Sequence, residues 1–129
     1  MSKKSSEAPV ILLIDNDTFL SNIYQTKLEL EGYKVLMAKD GEKGLVMVRK
    51  YKPDLILLDI VLPKLDGFKL LKKIKKNKSL ANIPAIFLTN LSNKKDIKYA
   101  LDLDIEDYFI KAQCMPHEVI AKVNKILKY

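Results

Sequence analysis

Residues 10–14 read VILLI and residues 55–58 read LILL, two short apolar runs with no polar residue inside them. A strand with one wet face alternates apolar and polar residues, so runs like these require cover on both faces. Each is followed at once by an acid, Asp15 in one case and Asp59 in the other. A buried strand that ends in a carboxylate needs something to meet that charge.

The segments between the runs have helical periodicity. Phe19, Leu20, Ile23, Tyr24 and Leu28 repeat at the spacing of one helix face, and Gly32 stops that helix. KVLMA at 34–38 reads as a second strand, and Asp40 as the N-cap of a helix to about Lys50, halted before Pro53. Asp66 caps a lysine-rich helix with Phe68, Leu71 and Ile74 facing inward, followed by a strand at 84–89 (PAIFLT). Asn93 starts a helix to about Leu103, DYFIK at 107–111 is a fifth strand, and Pro116 opens a last helix with Val119, Ile120, Val123, Ile126 and Leu127 as its apolar stripe. Five strands alternating with five helices predict an α/β fold, a doubly wound parallel sheet with helices on both faces. Residues 1–8 read as a disordered tail and 9–129 as one domain, which the 129-residue length and 48% hydrophobic content allow.

Composition narrows the function. No run approaches the ~20 apolar residues of a membrane span, and MSKKSSE is no secretion signal, so a cytoplasmic protein without membrane contact is expected. Cys114 and His117 are the only residues of their types, which excludes an internal disulfide and a zinc cluster of Cys and His. The net charge of +7 comes mostly from lysines spread along the chain, densest in KLLKKIKKNK at 69–78. That stretch reads as the solvated face of an amphipathic helix, and no nucleic-acid partner is expected.

In doubly wound sheets ligands collect at the carboxyl ends of the strands, where the strand order reverses. Asp15 and Asp59 both stand there, joined by Asp17 or Asn16 of the first loop; Thr89 and Lys111 stand at the ends of two further strands. Neighbouring carboxylates without His or Cys favour a hard cation, and Mg²⁺ suits a site with few protein ligands. Two acids, a cation, a hydroxyl and an ammonium together suit a phosphoryl group, which a carboxylate can accept.

These residues resemble the receiver domains of bacterial two-component response regulators, over about residues 9–128. The most specific stretch is DIVLPKLDG, from Asp59 to Gly67. The resemblance implies a flavodoxin-like sheet of strand order 2-1-3-4-5. It makes Asp59 the phosphoacceptor, with Mg²⁺ held by Asp15, Asn16, Asp59 and the backbone carbonyl of Val61. It gives Thr89 and Lys111 to the phosphoryl group, and Thr89 with Tyr108 to the switch. The implied donor is a sensor histidine kinase or a histidine phosphotransfer domain, and the implied output is a downstream protein bound near the fourth helix, fifth strand and fifth helix. A monomer or a weak phosphorylation-dependent dimer is expected. Because the sequence stops at Tyr129, directly after the last helix, a single-domain regulator acting through another protein is expected, a switch and not an enzyme in the usual sense.

Three departures from the family pattern stand out. Asn16 replaces a second acid and removes a charge from the metal site, Ala112 follows Lys111 where a proline is usual, and Asp104-Ile105 replaces a common Gly-Ala. Asn16 supports an alternative reading, a binding module of the same fold that is never phosphorylated. A more distant rival is a haloacid-dehalogenase-type phosphatase, suggested by DNDT at 15–18, but Phe19 stands where that motif wants threonine.

Overall fold

The computed structural model describes residues 7–129; residues 1–6, most of the expected tail, lie outside the described residues. The chain runs β1 (Val10–Ile14), α1 (Thr18–Leu30), β2 (Lys34–Ala38), α2 (Gly41–Tyr51), β3 (Leu55–Leu58), α3 (Gly67–Lys76), β4 (Ala85–Thr89), α4 (Lys94–Leu101), β5 (Asp107–Ile110) and α5 (Pro116–Leu127). All strand pairs are parallel, and the sheet order is β2-β1-β3-β4-β5. The chain therefore winds outward from β1 in one direction, then crosses to β3 and continues in the other. That reversal opens a cleft between the carboxyl ends of β1 and β3.

The unbroken apolar runs are explained by the two layers. Leu12, Ile14, Ile56, Leu58 and Phe87 point to one face, where Val48 of α2, Leu70, Leu71 and Ile74 of α3 and Ala100 of α4 cover them. Ile11, Leu13, Leu55, Leu57, Ile86 and Leu88 point to the other, under Tyr24 and Leu28 of α1 and Val119, Ile120 and Val123 of α5. Successive strand residues face opposite layers, so both must be apolar. Each such buried leucine or isoleucine contributes roughly 1.5–3 kcal/mol.

The caps read from sequence are present. Asp40, Asp66 and Asn93 accept the N–H groups of Lys43, Lys69 and Asp96, which opens α2, α3 and α4. Gly32 takes φ 100° in the turn after α1, a conformation that costs other residues a clash. Asp104, which replaces a common glycine, is itself left-handed at φ 60°, and its carbonyl accepts the Lys75 ammonium at 3.0 Å. Of the apolar stripe expected along α1, Tyr24 and Leu28 are buried, while Phe19 is corrected to 78% exposed and Ser21 faces the core in addition. Helix α1 is apolar on more than one face, and docking against the sheet and α5 selects which face is buried.

Candidate functional site

The sheet ladder continues one residue past β1 and β3. The Asp15 N–H donates to the Ala38 carbonyl at 3.0 Å, and the Asp59 N–H donates to the Ile14 carbonyl at 2.9 Å. Both backbones are thus held as firmly as strand residues, and both residues are nearly buried. The Lys111 ammonium lies between them, 2.8 Å from Asp15 Oδ2 and 2.8 Å from Asp59 Oδ2. Lys111 has left the strand: β5 ends at Ile110, and Lys111–Gln113 form a single 3₁₀ turn that aims the side chain back over the sheet edge.

Burial raises the Asp15 carboxyl above its ordinary value, against the opposing pull of the Lys111 ammonium and the Asp17 N–H. Burial also works against the charged form of Lys111, but the hydrogen bonds it donates to the two carboxylates outweigh it and hold the ammonium above its ordinary value. The cleft therefore contains two carboxylates and one ammonium, one negative charge in excess. A further cation with a taste for oxygen fits that excess, and the acidic donors are all oxygens. Among the described residues no group of three or more His, Cys, Asp or Glu could hold a metal, so a cation would depend on neutral oxygens as well.

The first loop divides its two candidates. Asp17 is taken up by α1, accepting the Leu20 N–H at 3.1 Å as the N-cap, while its own N–H donates to Asp15 Oδ1 at 2.8 Å. Asp17 therefore orients Asp15 through its backbone. Asn16 is exposed beside it, and Val61 is exposed past Asp59. One oxygen of Asp59, Oδ1, accepts the Ile60 and Val61 N–H groups at 2.7 and 3.3 Å, which fixes the carboxylate's orientation.

On the neighbouring strand Thr89 is fully buried, and its hydroxyl oxygen accepts the Leu91 N–H at 3.4 Å. Tyr108 is half-buried against Phe87, with ring centroids 6.1 Å apart, and its hydroxyl donates to the Leu91 carbonyl at 2.6 Å. Burial, with the Asp96 and Asp59 charges, pushes its phenol up to about 12. Gly67 opens α3 directly behind the acid: a Cβ there would lie 2.3 Å from the Asp59 carbonyl oxygen. The sequence reading passed over that contact, although a glycine directly after a capping aspartate is its only trace. Cys114 is partly buried beside Tyr24, and His117 is exposed.

The model of the response regulator receiver domain matches residues 11–124. The DNA-binding dual master transcriptional regulator RpaA of Synechocystis is 37% identical over 93% of the chain and 49% of its own length. The alkaline phosphatase synthesis transcriptional regulatory protein PhoP of Bacillus subtilis is 38% identical over 92% of the chain and 48% of its own. The chain spans about half the length of these relatives. Among solved structures, the receiver domain of the Francisella response regulator 1452 superposes with a TM-score of 0.85 at 31% identity, covering 93% of the chain and 97% of that domain.

Proposed function

The chain belongs to the response regulator receiver domain family, and on that premise we propose that it is a phosphorylation-controlled switch with Asp59 as its phosphoacceptor. The observation that carries this reading is the Lys111 ammonium held at 2.8 Å from both buried carboxylates at the sheet's switch point. In the transfer, an Asp59 carboxylate oxygen bonds to phosphorus as the N–P bond of a phosphohistidine breaks, and that bond's electron pair returns to the imidazole. The donor is a sensor histidine kinase or a histidine phosphotransfer domain. Asp59 Oδ1 is already engaged by two backbone N–H groups, which leaves Oδ2, on the Lys111 side, as the attacking atom.

Asp15, Asp59, the Val61 carbonyl and the Asn16 amide oxygen would hold Mg²⁺, which when bound neutralises charge on the phosphoryl oxygens. Lys111 changes partners in the same event, leaving Asp15 to pair with the new phosphoryl charge. Thr89 turns its hydroxyl toward that group, and the Leu91 loop follows. Tyr108, bonded to the Leu91 carbonyl, carries the change to the surface of α4, β5 and α5, where a downstream protein binds.

Incubation with acetyl phosphate and Mg²⁺ followed by intact-mass measurement tests this reading. One added phosphoryl group is expected in the wild type and none in Asp59→Asn, whose amide keeps the shape but is no nucleophile. The second reading, a binding module that is never phosphorylated, draws support from Asn16 and from the engagement of Asp17 as a helix cap. A wild type that gains no mass under these conditions would establish it.

A further inference from the structure

β4 and β5 lie side by side with Thr89 in register with Ile110, so the chain leaves both strands at the same level. Directly beyond, the Asn90 side-chain oxygen accepts the Ala112 N–H at 3.1 Å. This bond joins the residue after Thr89 to the residue after Lys111. It exists because residue 112 is not proline, which has no N–H to donate. The same loop is tied to β5 a second time through the Tyr108 hydroxyl and the Leu91 carbonyl. Two cross-ties therefore hold residues 90–91 against β5 and the turn that follows it, one from Tyr108 within the strand and one from Ala112 in the turn.

We propose that Asn90 is a positioning residue, tying the loop that carries Thr89 to the turn that carries Lys111 so that the two groups move as one unit. The inference rests on Asp59 being the phosphoacceptor. Neither Thr89 nor Lys111 contacts the other in this state: Thr89 is engaged with the Leu91 N–H and Lys111 with the two carboxylates. A phosphoryl group on Asp59 draws on both at once, and a loop that moved alone would have to break the Asn90 bond to do so. With the bond intact, displacement of Thr89 shifts the 3₁₀ turn and re-aims the ammonium. Asn90 acts through the Ala112 backbone, whose N–H its side-chain oxygen accepts.

The test combines kinetics and nuclear magnetic resonance on Asn90→Ala, Ala112→Pro and the double variant. Each single change is expected to alter the phosphorylation rate constant with acetyl phosphate by about two- to tenfold, the range of one net hydrogen bond. The double variant should go no further than the larger single effect, because both substitutions cut the same bond. In Asn90→Ala the amide signals of residues 111–113 should no longer follow those of the Thr89 loop on phosphorylation, and Asn90→Asp, which keeps the acceptor oxygen, should restore the concerted shift. Effects that multiply in the double variant, or signals of residues 111–113 that respond fully without the Asn90 side chain, overturn the proposal while leaving the phosphoacceptor reading standing. A wild type that gains no phosphoryl group overturns both.

Discussion

Replacing Lys111 by methionine keeps the length of the side chain and removes the one ammonium shared by Asp15 and Asp59. The three side chains are only 8%, 3% and 10% exposed, so water does little to screen the charges left behind. Breaking a buried pair by deleting one partner costs ~3–5 kcal/mol, and the open mouth of the cleft puts this case at the low end, ~3 kcal/mol at pH 7. For a domain of this size that corresponds to a fall in Tm of roughly 10 °C. The deficit should depend on pH. Asp15 is raised above its ordinary 3.8 by burial, so the folded state holds its proton more tightly than the unfolded chain. The resulting stability is complete below 3.8 and is lost as pH rises through the folded value. Deleting the ammonium raises that folded value further, so the variant loses more on the way up to pH 7, and the two proteins converge again toward pH 4. Urea melts at pH 7, 5.5 and 4 measure the difference. Mg²⁺ should also raise the Tm of the variant more than that of the wild type, since it replaces a missing positive charge. A variant as stable as the wild type at pH 7, or a deficit that stays constant from pH 7 to 4, would refute the electrostatic account of the cleft.

Asn16→Asp adds a third carboxylate at the cleft and should tighten Mg²⁺ binding by on the order of 1 kcal/mol, about fivefold, while lowering the Tm of the metal-free protein; calorimetric titration giving equal affinities would show that residue 16 does not face the metal. Gly67→Ala should cost more than ~3 kcal/mol in urea unfolding, because its Cβ would meet the Asp59 carbonyl oxygen at 2.3 Å and the Ile60 Cα at 2.7 Å, and only backbone movement relieves that. A loss under ~1 kcal/mol would mean that α3 can retreat from Asp59. Tyr108→Phe keeps the ring against Phe87 but loses the bond to the Leu91 carbonyl, for a cost of ~1 kcal/mol. Because the phenol is pushed up to about 12, the wild type is stabilised below pH 10 and loses that contribution between pH 10 and 12, so the variant's alkaline limb should be flatter; identical limbs would count against a buried phenol.

Much of the fold was legible because buried parallel strands leave a mark that needs no tertiary knowledge. VILLI and LILL are apolar at every position since each residue faces one helical layer or the other, and β1 and β3 have the bounds read from those runs. The caps at Asp40, Asp66 and Asn93 were equally local, a side-chain oxygen bonding an N–H three residues on. The site was legible to the extent that strand ends place residues: Asp15, Asp59, Thr89 and Lys111 do stand at one sheet edge. Whether Asp17 was free for the cleft was not, because it can serve either a cation or the N-terminus of α1, and in the structure it accepts the Leu20 N–H as the cap of that helix.

The sequence by itself determined the element order, the two-sided burial of the sheet and the set of polar groups delivered to its carboxyl edge, since each follows from residue type at a spacing of a few positions along one chain. The tertiary structure alone decided how those groups pair. Lys111 lies 96 residues from Asp15 and 52 from Asp59, and its ammonium reaches both because β5 stops at Ile110 and a 3₁₀ turn bends the side chain inward. The burial of α1 was decided the same way: Phe19 and Tyr24 are both apolar enough for a core, and the docking of the helix against α5 and the sheet put one in solvent and the other inside. Local patterns record what each residue prefers, but a charge balance or a choice between two apolar faces depends on which distant segments arrive beside it.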